Sequence, residues 1–339
     1  MKSRWTLTGL STVLPLMVLL GVIEGGTRID WGTAVAALAG EWSGPLGLAP
    51  ADAGVQTIVR DLRLPRALLS VLVGASLAGA GALLQTVTRN DLADPFLFGL
   101  SSGAATGAVA AMTVSGEWLG IWTLPLAAFC GGLVAAGCVL LLARAQDGKT
   151  PERIVLAGLA VSFLFGALTH VMVFAGDQRA AHSILFWSLG GLGLARWDNL
   201  PVALAGATCL AGFVIARHRS LDALLAGDEV ARSLGVDPGR LRTQVFVVAA
   251  VATACCVALS GVIGFVGLMV PHLARRCAGL LHAGMLPTAA LLGAILLLGS
   301  DVLSRSVLPP QEMPVGIVTT SIGAGFVIVM LLRRRPYMP

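Results

Sequence analysis

Long apolar stretches recur along the chain with short polar joints between them. Mainly apolar runs fall at 6–23, 66–87, 97–115, 122–143, 154–175, 199–216, 243–260, 262–274, 287–303 and 314–332. A bilayer core needs about 20 such residues per helix. The pattern therefore predicts an all-α membrane protein of about ten transmembrane helices, the eighth being short. No long polar linker divides the runs, so one transmembrane domain over 1–339 is expected. Lys2 and Arg4 precede the first run as in a signal peptide. No small-residue cleavage site closes that run and further spans follow, which favours an uncleaved first helix.

Ten crossings return the chain to the side on which it began. With the N-terminus inside, the inner segments hold 16 of the 23 basic residues, including Arg89, Arg217, Arg240, Arg242, Arg275 and Arg276. Cytoplasmic loops carry such an excess, so both termini are expected inside. The outer segments hold Arg28, Arg60, Arg63, Arg66, Arg179, Arg196 and Arg305. Several of these cluster where the rule disfavours them.

Composition agrees with the pattern. The chain is 56% hydrophobic and 12% charged, too few charges to cover a water-soluble protein of this size. The 42 glycines suit close helix contact in lipid. A pI near 9.2 rests on arginines in loops, without a basic stripe interleaved with aromatics, so no nucleic-acid partner is expected. Cys130, Cys138, Cys209, Cys255 and Cys256 sit in apolar runs and no C-x-x-C occurs, which excludes a disulfide frame or a cysteine metal site. The span interiors are almost bare of ionisable side chains, and a carrier driven by protons normally needs one there. No G-x-x-x-x-G-K-[ST] loop is present, so the chain cannot cradle ATP in the usual way. Neither a nucleophile–base pair nor a metal cluster is evident.

Four segments in order carry a resemblance. The first is Arg63-Leu64-Pro65-Arg66, then VGASLAGAGALLQTVTRN and Asp91-Leu92-Ala93-Asp94-Pro95. The others are GDEVARSLGV from Gly227, GVIGFVGLMVPHLARR from Gly261 and EMPVGIVT from Glu312. Together they resemble the FecCD family, the permeases of iron-chelate, haem and cobalamin importers. The resemblance implies a type II ABC importer permease fold in a bacterial cytoplasmic (inner) membrane. It implies a second permease subunit, identical or a close paralogue, and two cytoplasmic ATPases that bind the ATP and magnesium. It also implies a periplasmic or lipoprotein substrate-binding protein. No cofactor or metal is expected on this chain, and it is not itself an enzyme. Two positions depart from the family: Asp91 and Gly325 stand where proline is usual.

The resemblance also assigns roles. Arg63, Arg66 and Arg305 match arginines that receive a binding protein's glutamates, a task suited to a planar, permanently charged fork. Asn90 and Leu92 map onto a cytoplasmic gate; a plain turn is the competing reading. The inner loop of about 218–242 matches the coupling helix, with Asp228, Glu229, Arg232, Leu234 and Gly235 facing an ATPase. Acidic residues at its start complement a helix N-terminus, and Gly235 suits a left-handed helix end. Gly264, Phe265 and Gly267 lie in a stretch broken by glycine and proline, expected to line a path. In the second span Gly74, Ala75, Ala78, Gly79 and Ala82 form a small-residue face for close packing. His272 is expected to be hydrogen-bonded at the inner end. The outer loop from Gly176 to Asn199 either anchors tryptophans at the headgroups or forms a short re-entrant helix. His170 and His182 are its neighbouring candidates for touching haem. Ferric siderophore is the favoured cargo, with haem or cobalamin as alternatives; the rival mechanism is a secondary transporter.

Overall fold

The computed structural model describes residues 2–25, 29–40, 49, 51–115, 119–144, 151–176, 178–308 and 311–333. Arg28 lies outside them, as do the side chains of Arg179 and Arg333. The described residues form helices and connections without strands.

Among the described residues, eight helices are long and apolar enough to cross a bilayer. They are α1 (Lys2–Ile23), α4 (Leu64–Thr88), α6 (Thr123–Arg144), α7 (Pro151–Ala175), α9 (Leu200–Leu225), α11 (Pro238–Ser260), α13 (His282–Ser306) and α14 (Val315–Arg333). Two shorter helices complete the ten: α5 (Leu100–Ala110), prolonged by a π turn over Ala111–Ser115, and α12 (Val266–Ala278). The eighth predicted span is short because it is only partly helical. After α11 the backbone leaves the helix through 261–265, with Gly261 at φ 62° and Phe265 at φ 68°, and α12 begins at Val266. Non-helical backbone at such depth is tolerated when protein covers it. Here the carbonyls of Leu189 and Val262 lie against Gly316, and Ile263 is fully buried.

Helix α4 is the central post. Val73, Leu77, Leu83 and Leu84 are at most 1% exposed, and α4 packs against α9, α11, α12 and α13. Its small face permits this. A methyl group placed at Gly74 would collide with the backbone of Gly293 in α13, and one at Gly81 with the backbone of Gly267 in α12. In lipid, association depends on such backbone approach more than on burial of apolar area.

Three further short helices sit in connections. They are α2 (Trp31–Ala39), α3 (Ala53–Thr57) and α8 (Gln178–Ser188). Asp30 caps α2, its Oδ2 accepting from Gly32 N at 3.0 Å. The sequence pattern offered no element between the first two spans. Its signal was this Asp-x-Gly start, too short to register as a span. The outer loop contains a short helix, α8, on which Trp187 is buried. The last short helix is α10 (Asp228–Ser233), at the inner end between α9 and α11.

Candidate functional site

Polar side chains gather at the two ends of the bundle. At the outer end, arginines terminate helices. The NH1 group of Arg63 donates to the carbonyls of Val22 and Ile23 at 2.9 and 2.6 Å. Arg305 donates to Glu24 O at 2.7 Å and Gly21 O at 2.9 Å. Both thereby satisfy the last carbonyls of α1, the negative end of its dipole. Arg60 does the same for α2, donating to Ala37 O at 2.7 Å and Leu38 O at 3.1 Å. The positive charges outside thus have an internal cause. Arg63 and Arg305 are 7% and 3% exposed, with their guanidinium groups turned to the α1 carbonyls. Arg66 pairs with Asp301 at 2.9 Å and with Glu312 at 2.6 Å, and Glu312 is half exposed at the rim. A cavity of about 400 Å³ opens here, lined by Arg63, Arg66, Arg305 and Glu312 with Leu62 and Leu192.

At the inner end, arginines join loops. Thr88 ends α4, and Arg89 follows in the left-handed region with φ 50°. The next residues make a tight turn in which Asn90 Oδ1 accepts from Leu92 N at 2.9 Å. Leu92 is 49% exposed. The turn reading is therefore the one seen at Asn90 and Leu92. Asp94 caps the 3-10 turn Pro95–Phe98, accepting from Phe96 N at 2.9 Å. Burial pushes the Asp94 carboxyl up to about 6. Gln85 fastens this loop from above, donating to Ala93 O at 3.2 Å and to Leu268 O at 3.1 Å. Arg275 of α12 closes the network, with Gln85 Oε1 at 2.6 Å and Asp91 Oδ1 at 3.0 Å. Asp91, where the family's proline is absent, thus has an ion-pair partner. At the other departure, α14 runs unbroken through Gly325.

The expected coupling helix is α10. Gly235 follows it at φ 78°, as its position suggested. Glu229, Val230, Arg232 and Leu234 are exposed and Ala231 is fully buried, giving one inner and one outer face. Asp228 differs from its neighbours because its carboxylate turns inward. Arg242 grips it at 2.7 and 3.0 Å, and Arg89 contacts the same Oδ1. The Arg242 hydrogen bonds hold the Asp228 carboxyl below the usual carboxylate range. Behind it, Asp222 Oδ1 takes the backbone N of His282 at 2.9 Å and its Nδ1 at 2.6 Å, while Nε2 meets Thr86 Oγ1 at 2.9 Å. Sequence reasoning missed His282, Asp222 and Arg242. Each lies near a helix end and has its partner on another helix, and no local spacing shows that.

The glycine-broken stretch divides. Gly264 and Phe265 are partly exposed, with Phe265 at φ 68° against Gly323 of α14. Gly267 is buried against Leu77 O and Pro95, so its place is the α4 contact and not a path wall. His272 lies edge-on to Phe326, ring centroids 5.7 Å apart. His170 and His182 are exposed on α7 and α8.

The FecCD transport family model matches residues 13–333. The chain belongs to the FecCD transport family. A hemin transport system permease from Yersinia pestis is 41% identical over 81% of this chain and 83% of its own length. A cobalamin import permease from Halobacterium salinarum is 42% identical over 84% and 77%. A vitamin B12 import permease from Klebsiella pneumoniae is 34% identical over 98% and 95%. Among solved structures, a chain described as a metal-chelate type ABC transporter in an inward-facing conformation superposes with TM-score 0.84. It is 28% identical, and the match covers 96% of this chain and 98% of that one. The protein is accordingly a multi-pass membrane permease of an ABC-importer family.

Proposed function

We propose that this FecCD-family chain is the permease subunit of an ATP-driven importer in a bacterial cytoplasmic membrane, carrying a bulky metal chelate, a ferric siderophore first. Two permease chains form the path, two ATPases bind below and a binding protein delivers from outside. The observation that carries this is α10: a short helix at the inner end, with Glu229, Val230, Arg232 and Leu234 on its outer face, fastened by Asp228 and Arg242 on the other. Such a helix inserts into a groove on a partner protein. Exposed apolar residues along α7, including Phe163, Leu164, Val171 and Phe174, supply an uncharged wall for a second copy or the cargo. A wall of that kind lets a large chelate leave as readily as it enters. The relatives named for hemin, cobalamin and Fe(3+)-citrate support the chelate class. On the outer side Arg66 and Glu312 mark the rim at which a binding protein would seat.

The test is reconstitution of the chain with its ATPase and binding protein in proteoliposomes. Radiolabelled ferric hydroxamate, hemin and cobalamin are offered in turn. Uptake of the ferric hydroxamate that requires internal ATP and the binding protein is the expected result. Uptake without nucleotide would assign the chain to secondary transport. ATP-dependent uptake of hemin or cobalamin alone would keep the importer and replace the cargo.

A further inference from the structure

Two features at the inner end are separate in sequence and joined in space. One is α10, the helix read above as the ATPase contact. The other is the Asn90–Leu92 turn, which the family resemblance makes a cytoplasmic gate. They meet through one carboxylate, that of Asp228.

The two arginines on that carboxylate differ. Arg242 is 3% exposed, reaches Asp228 with two nitrogens and donates through Nε to Val87 O at 3.2 Å. It fixes α10 to α11 and to the last turn of α4, as a pivot would. Arg89 reaches Asp228 with a single nitrogen, and its side chain is 45% exposed. It is the C-cap of α4 and one of two non-glycine residues at positive φ among those described. Such a conformation persists only while its surroundings hold it. The residue after it, Asn90, fixes the turn through Leu92 N. A shift of α10 about the Arg242 pivot therefore pulls on the residue whose backbone sets the direction of the turn. A half-exposed pair contributes little to stability; its use is directional.

We infer that Arg89 is the positioning residue that transmits displacement of α10 to the Asn90–Leu92 turn through Asp228. The inference rests on the importer reading above. It gives the coupling helix a mechanical route to the gate that needs no rearrangement of the buried helices. A two-state element biased from one end and read at the other is what coupling requires.

The test follows amide exchange in the full complex of the chain with its ATPase, in nanodiscs, with and without ATP and magnesium. In the wild type the amides of 90–93 and of 228–235 should respond to nucleotide together. In Arg89→Ala the 228–235 response should persist, while that of 90–93 falls by at least about fivefold, the lower end of an ordinary coupling between sites. Arg89→Gln should behave alike, covering the case in which the alanine variant fails to fold. Arg89→Lys should restore the response, because a single contact needs only the charge. A 90–93 response unchanged in both neutral variants would overturn the inference. Loss of the ATPase from these variants on purification would also overturn it, making Arg89 an assembly residue. A wild-type chain that binds no ATPase, or whose 228–235 segment ignores nucleotide, would instead defeat the importer reading and the inference with it.

Discussion

The outer and inner ends both depend on arginine, yet they use it differently. Outside, Arg63 and Arg305 are buried and donate to carbonyls at the end of α1, so their partners are backbone atoms that cannot leave. Inside, Arg89 meets Asp228 at the start of α10 and Arg275 meets Asp91 in the turn after α4; the Arg89 and Asp91 side chains are 45% and 71% exposed and can exchange partners with water. The outer end is a clamp and the inner end a set of joints. The importer reading proposed above needs that order: the half that receives force must be the half that can move.

The comparison breaks most readily at the clamp. Arg305→Met leaves Asp301, which is fully buried, with Arg66 as its remaining arginine, and removes two donors from the end of α1. Breaking a buried, hydrogen-bonded ion pair costs about 3–5 kcal/mol. Denaturant titration of the purified permease should show a loss of that order. Arg89→Gln, by contrast, should change stability by about 0–1 kcal/mol, since its pair is half exposed. Equal losses from the two variants would erase the distinction between clamp and joint.

An intermediate effect comes from pH, and it acts at the inner end. The Asp94 carboxyl, pushed up to about 6 by burial, has a raised folded value against an ordinary 3.8. Its contribution to stability is therefore fully present below pH 3.8 and lost as pH rises through about 6. Asp228 has the opposite sign: its lowered value keeps the Arg242 pair intact until pH falls below the ordinary 3.8. Protonation of Asp94 on acidification from about pH 7 to 5 should thus stabilise the inner junction by about 1 kcal/mol. The check is the thermal midpoint of wild type and Asp94→Asn at both pH values. The gain should be absent from the variant; a gain of equal size there would place its source elsewhere.

These effects also show what the sequence could and could not disclose. The ten spans were legible because bilayer thickness imposes a length on every apolar run. The small face of α4 was legible because its repeat of three to four residues is local. The short helix α10 was legible from Asp228, Glu229 and Gly235, which encode a start and an end within one short segment. The outer arginines were visible as an anomaly but not as a cause. Their partners are carbonyls of α1, some forty residues earlier for Arg63. A backbone carbonyl leaves no mark in a sequence. The Asp222–His282–Thr86 contact failed for the same reason, joining three helices that only folding brings together.

The smallest expected effect sharpens the comparison most finely. Asp91 replaces a proline of the family pattern, and its side chain is 71% exposed. Its partner Arg275 is held independently by Gln85 Oε1 at 2.6 Å. Removing the carboxylate in Asp91→Ala therefore leaves Arg275 in place and forfeits one solvated ion pair, worth about 0–1 kcal/mol and less in salt. Thermal unfolding at low and high salt should show a small deficit that closes as salt is added. Gln85→Leu removes the inner support of the same arginine, where Gln85 is 2% exposed and bonds two other segments. It should cost about 1–3 kcal/mol with no salt dependence. If Asp91→Ala proved as costly as Gln85→Leu, the loop would be fastened from the solvent side, and the joint would in fact be a second clamp.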